Sequence, residues 1–352
     1  MAKESYPPDE RINSLRLIFQ KHTYLAGCVF SHLMIDGFFV ILYPLLPLIA
    51  QDFNLPLSKV GILRTCFSFS ATFLQIPFAL LSERLWEMSF LFLGMSWVSV
   101  GLLAMGITLS FGQLLLLTFI CGIGGNIQHP VASAFISRLY ENRSRGSAIG
   151  VLNFSGDIGK IIFPLLVSAI LLSYSWRSCF IIIGAAGLLF SLLFGWLSRR
   201  KHGNSRTKKQ KDLLSRGGLG ITSPLRFVLL SLIGTIDAST RTVLLTFVPF
   251  LLLDKGIQAT RIGFLLTLLF IGGALGKLGC GFLADRIGNF KMIILTEILT
   301  ALSILLFLPI QRGLLIPLLI FCRKMESGTI IKVAIAMVKK IQRRPQASPR
   351  NP

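Results

Sequence analysis

Hydrophobic positions along this chain do not alternate with polar ones; they gather into runs of roughly 20 residues parted by short polar breaks. At ~1.5 Å rise per residue, about 20 apolar residues carry a helix across the ~30 Å hydrocarbon layer of a bilayer. The runs therefore predict membrane-spanning helices, not the weakly alternating strands of an outer-membrane barrel. Nine are clear, at residues 23–50, 57–81, 88–109, 113–137, 147–172, 177–197, 227–253, 262–284 and 292–309. A tenth begins near Gly313 and is irregular, because the apolar stretch 314–322 runs into Arg323, Lys324 and Glu326. The predicted fold class is all-α: a polytopic transmembrane helical bundle of about ten spans, with a six-helix N-terminal half and an incomplete C-terminal half.

Composition agrees, since 53% hydrophobic and 14% charged residues with a mean hydropathy of +0.71 exclude a soluble globular domain. A net charge of +21 invites a nucleic-acid partner, and the placement of the charges decides against one. With the N-terminus inside, alternate loops put 27 Lys and Arg on the cytoplasmic side against five outside: Lys59, Arg177, Lys255, Arg261 and Arg312. That bias is the positive-inside signature of a multi-pass membrane protein. Nine of the basic residues fall in 199–226 against the single Asp212. The chain thus divides into a cytoplasmic tail (1–22), a six-helix half (23–198), a basic cytoplasmic linker (199–226), a C-terminal half of about four spans (227–338) and a basic cytoplasmic tail (339–352). The linker either sets topology as a solvated loop or also touches anionic lipid heads. The first apolar run is too long for a signal-peptide core and stays as the first span. Six cysteines, Cys28, Cys66, Cys121, Cys179, Cys280 and Cys322, lie inside apolar runs without CxxC spacing and read as packing residues.

Charges that remain inside spans carry the chemistry, because an ionisable group at that depth must face a cavity or a partner. His32 and Asp36 stand at i, i+4 on one face of the first span. Asp157 and Lys160, at i, i+3, form either a self-contained pair or a site where Lys160 meets an anionic solute. Asp237 and Arg241 repeat an i, i+4 pair in the seventh span, as structural glue or as part of a central cavity. Arg64 is expected to snorkel to the outer interface, and the lone Glu297 and Lys277 to be structural. The four histidines, at 22, 32, 129 and 202, look scattered, so no metal-ligand cluster is expected. Gly122, Gly124 and Gly125 read as helix-packing glycines, because neither a preceding strand nor a following GKS or GKT makes them a phosphate loop. Nothing in the sequence assembles a catalytic set. A transporter without cofactor is expected, not an enzyme.

The stretch GKLGCGFLADRIGNFK, spelled Gly281, Asp285, Arg286, Gly288 and Lys291, resembles the loop signature of the major facilitator superfamily of secondary transporters. Aligned with it, the loop after span 2 repeats the acid–base pair as Glu83 and Arg84 but not the glycines. The His32–Asp36 segment with its YPLLPLIAQDF exit, His129–Pro130 in span 4, and Gly150, Asn153, Gly156, Gly159 and Pro164 in span 5 are similar to the fosmidomycin-resistance group of bacterial efflux transporters. The resemblance implies alternating access in a bacterial cytoplasmic (inner) membrane, with a small polar or drug-like solute and protons as partners, most simply as proton-coupled antiport and efflux. It also implies that Asp285 latches against the start of span 5 near Ser147, where exposed amides favour a carboxylate. Span 5 departs from the group's pattern in Asp157 and in Phe163, which stands where a Gly usually precedes the proline. That departure removes the Gly-Pro element of the antiporter signature, and Lys160 and Arg241 favour an alternative, proton-coupled uptake of an anionic metabolite.

A superfamily member of this kind is expected to have twelve spans, and the amphipathic 330–340 and basic 341–352 cannot supply the last two. The expectation is a truncated chain that does not transport by itself, with dimerisation as one way to cover the faces left open in spans 7 to 10. The charge distribution also fixes an orientation. A cysteine placed at Ser205 should stay unlabelled by a membrane-impermeant thiol reagent in intact cells, and labelling there would invert the topology.

Overall fold

The computed structural model describes residues 8–73, 75, 77–78, 87–125, 127–140, 142–199 and 224–288, with 291–292, 294–295 and 298 beyond them. The described residues are almost wholly helical: α1 (Pro8–Asp52), α2 (Leu57–Phe73), α3 (Glu87–Gly106), α4 (Phe111–Gly125), α5 (Gln128–Leu139), α6 (Asn142–Leu171), α7 (Trp176–Arg199), α8 (Pro224–Asp254) and α9 (Ala259–Ile287). Among the described residues seven segments are long and apolar enough to cross a membrane, with α4 and α5 together forming one of them. They match predicted spans 1 and 3 to 8, and α2 covers the first part of span 2. Most of span 9 and all of the tenth segment lie outside the described residues.

Span 4 corresponds to α4 and α5, which fall in one membrane-long segment, Phe111–Leu139. Pro130, in the first turn of α5, lacks only an amide that the start of a helix leaves unbonded in any case.

The chain forms two compact units, one of residues 1–202 with 256–267 and one of 203–255 with 268–352. In the first unit α1 packs along α6, α3 packs along α7, and α4 lies against both α2 and α3. Its core is apolar, with Phe38, Ile41, Leu46, Leu63, Met95 and Phe180 fully buried. Leu93, Val100, Leu116, Leu189 and Leu192 are exposed instead. In lipid such an outward apolar face carries no penalty, provided the helices satisfy their own backbone groups.

Polar clamps sit at both ends of the unit. Arg177 Nη1 meets Asp52 Oδ2 at 2.5 Å and Nη2 donates to the Thr108 carbonyl at 3.2 Å, while its guanidinium lies 4.3 Å over the Trp176 ring. This ties the ends of α1 and α3 to the start of α7. At the opposite end Arg138 of α5 pairs with Glu87 of α3. The α1 terminus closes with Asn54 in the left-handed conformation (φ 49°), and the Leu55 amide bonds back to the Ala50 carbonyl at 2.8 Å. This is the six-to-one bond of a glycine-type helix stop.

Glycines set the distance between α1 and α6. A β-carbon on Gly159 would meet the Leu33 carbonyl and the Gly37 amide, so backbone touches backbone at this crossing. Small residues allow such approach where lipid supplies no hydrophobic drive between helices. Gly159→Leu should lower the stability of the detergent-solubilised protein by about 1–3 kcal/mol, the usual effect of overpacking. Gly150→Leu on the same helix, where a β-carbon meets nothing within 4 Å, should leave it unchanged. Equal thermal unfolding of the two variants would remove the crossing's role.

Candidate functional site

Asp36 lies near the middle of the membrane-crossing part of α1, and only 6% of its side chain is exposed. A buried carboxylate there has to find its compensation in the protein. On its own helix His32 Nε2 approaches Oδ2 at 3.5 Å, one turn earlier. From α6, Lys160 Nζ reaches the same oxygen at 2.7 Å. At the start of α5, His129 Nε2 stands 3.3 Å from Oδ1. Lys160 also lies 3.7 Å from Asp157 Oδ1, so one ammonium is shared by two carboxylates, with the shorter contact across helices and not along α6.

The packing explains why these groups converge. A β-carbon on Gly156 would meet Asp36 Oδ2 and His32 Nε2, so a larger residue would push the carboxylate away from Lys160. His129 is brought in by its neighbour: the Ser31 hydroxyl donates to Gln128 Oε1 at 2.9 Å, and Gln128 Nε2 donates to the Cys28 carbonyl at 3.1 Å. These two bonds pin the first residue of α5 to α1, and the two imidazoles then meet edge to face at 4.8 Å. The cluster is not sealed: His129 and Lys160 keep 42% and 32% of their side chains exposed.

Two sequence expectations are corrected here. The histidines are not all scattered, because His32 and His129 share one carboxylate, and their ligand atoms with that of Asp36 lie within 4.8 Å of one another. That set has the donors of a metal site, yet the Lys160 ammonium already supplies a cation to Asp36. Arg64 does not snorkel. Only 7% exposed, it donates from Nη2 to the Tyr43 hydroxyl at 2.7 Å. Arg64 is the eighth residue of α2, about 10 Å into the helix, and that depth was the sequence signal. Gln128 was also missed, as an amide between two conspicuous residues.

The remaining candidates separate. Asp237 and Arg241 pair one turn apart on α8 in the second unit, part-buried, and Arg241 Nε is buried without a hydrogen-bond partner. Gly288 follows α9 with φ +86°, the left-handed conformation that suits glycine. Arg286 is exposed near the end of that helix, while the surroundings of Gly281, the side chain of Asp285, and Glu83 and Arg84 altogether, lie outside the described residues.

The Major Facilitator Superfamily model matches residues 28–338. The chain belongs to the major facilitator superfamily. Within the superfamily it is similar to a probable L-galactonate transporter of Escherichia coli K12, at 27% identity over 180 residues that cover 51% of this chain and 40% of that one. It is also similar to the fosmidomycin resistance protein of the same strain, at 25% identity over 190 residues that cover 53% and 46%. The chain thus spans less than half the length of either relative. Among solved structures, a bacterial homologue of the human lysosomal transporter Spinster, inward-facing and occupied, matches 91% of this chain and 74% of its own with a TM-score of 0.73 and 19% identity. That likeness establishes the superfamily fold. The chain is therefore a multi-pass membrane protein of a family of transporters, and its group resembles proteins of varied substrates.

The Gln128 bonds give the cluster a test of construction. Gln128→Leu should leave the protein folded but release His129 from Asp36, read as faster carbethoxylation of His129 by diethyl pyrocarbonate; an unchanged rate would deny Gln128 its positioning role.

Proposed function

We propose that the chain carries a small anionic solute into the cell together with a proton, by alternating access across the bacterial cytoplasmic membrane, with its N-terminus inside. One observation carries this: Lys160 is held by Asp36 at 2.7 Å and by Asp157 at 3.7 Å, while His32 and His129 approach Asp36 at 3.5 and 3.3 Å. Protonation of Asp36 removes the nearer anion from Lys160. The ammonium then has charge to offer a solute carboxylate. Proton and anion each favour the other's binding, and by linkage the effect is reciprocal. Such positive coupling suits symport, in which an inward proton gradient draws the anion inward. Similarity to a probable L-galactonate transporter, whose named solute is a carboxylate, supports the same class.

Efflux of a phosphonate-like or other drug-like compound is the second reading, supported by similarity to the fosmidomycin resistance protein. Antiport, however, needs the proton and the solute to compete for the site. The sign of the pH dependence therefore separates the two. For the purified full chain, affinity for L-galactonate should rise as pH falls. Asp36→Asn, a mimic of the protonated acid, should bind with high affinity at every pH, and Lys160→Gln should lose about tenfold or more in affinity, the value of a charged hydrogen bond. An affinity that falls with pH would favour efflux. Unaltered pH dependence in Asp36→Asn would move the proton to Asp157 or Asp237. In cells the growth response completes the assignment: sensitisation to a toxic anion marks uptake, and resistance marks efflux.

A further inference from the structure

Arg64 carries a permanent charge, since guanidinium does not lose its proton in proteins. Its guanidinium lies 4.6 Å over the Tyr43 ring and 5.4 Å over the Phe67 ring, and Nη2 donates to the Tyr43 hydroxyl. Nε and Nη1 are buried and hydrogen-bond to nothing. Among the described residues no carboxylate oxygen lies within 4.0 Å of any Arg64 nitrogen. The aromatic faces offset part of the cost of burying the charge. They do not supply a counter-ion, and at this depth an uncompensated cation is what membrane proteins avoid.

The position of Arg64 suggests where the counter-ion comes from. Tyr43 follows Asp36 by seven residues on α1, two turns or about 10 Å along the same helix face. Arg64 of α2 thus meets α1 at Tyr43, on the face of that helix that also carries Asp36. Oxyanions are what an arginine with open N–H groups recognises best.

We propose that Arg64 is an anion-binding residue of the transport site: its unpaired Nε–H and Nη1–H groups engage the carboxylate or phosphonate of the solute, and Tyr43 orients the guanidinium for that contact. The proposal rests on the anionic-solute reading above and adds a residue that the reading does not require.

The test uses the full chain purified in neutral detergent, with L-galactonate and fosmidomycin as anionic probes and galactitol as the uncharged control, read by calorimetric affinity and by thermal unfolding. In the wild type both anions or one of them should bind and raise Tm, and galactitol should not. Arg64→Met should unfold, without anion, at a Tm equal to or above that of the wild type, because an uncompensated charge has been removed. Its anion affinity should fall about tenfold or more. Arg64→Lys, which keeps the charge and loses the planar donors, should also bind more weakly than the wild type. A charge that merely closed the α1–α2 contact would leave Arg64→Met less stable than the wild type and Arg64→Lys unchanged in affinity, and either result overturns the proposal. Wild-type protein that binds neither anion would overturn the anionic-solute reading itself. Loss of binding in Lys160→Gln with retention in Arg64→Met would leave that reading standing and remove Arg64 from it.

Discussion

A carboxylate in the middle of an apolar helix dictates the arrangement of the first unit. Burying an unpaired charge in a membrane is far more costly than any single packing defect, so Asp36 needs a partner that α1 alone does not provide. Lys160 meets that need only because α6 crosses α1 closely enough for its ammonium to reach across. The approach in turn depends on Gly156 and Gly159, whose missing side chains let backbone meet backbone and leave room for the carboxylate. Glycine packing and charge compensation are thus one feature. A larger residue at either position would both separate the helices and lengthen the Asp36–Lys160 contact.

The departure of span 5 from its group's pattern has a packing counterpart. Phe163 occupies the position before Pro164, and its ring is the group that a β-carbon on Gly37 would strike. The same ring meets Phe38 edge to face at 5.6 Å. Bulk on α6 is therefore matched by its absence on α1, a small-for-large exchange across one contact. A Gly–Pro element at this point would leave α6 with less to hold it against α1. Phe163 instead stiffens the crossing on which the Asp36 cluster sits.

Hydrophobic runs made the spans legible, because a bilayer imposes one length on every helix and the chain has to show it. The charged residues inside the runs were legible for the same reason, as exceptions to a strong rule. Their pairings were less so. The i, i+3 and i, i+4 spacings revealed Asp157–Lys160 and Asp237–Arg241, whereas the shorter Lys160–Asp36 and His129–Asp36 contacts join positions far apart in sequence and depend on a helix crossing that periodicity does not encode. Arg64 was misread because a long cationic side chain near a helix end usually reaches the interface. Tyr43 on the neighbouring helix gave it a closer partner.

Charge compensation links the two cations. Around Lys160 the carboxylates of Asp36 and Asp157 lie at 2.7 and 3.7 Å from one ammonium. At Arg64 of α2, bonded to Tyr43 of α1, no carboxylate oxygen of the described residues lies within 4.0 Å of the guanidinium nitrogens. Tyr43, which bonds Arg64, follows Asp36 by two turns of α1, about 10 Å along one face. In the reading proposed above, a proton at Asp36 relieves the first site and an anion at Arg64 compensates the second, so each binding event changes the field in which the other takes place.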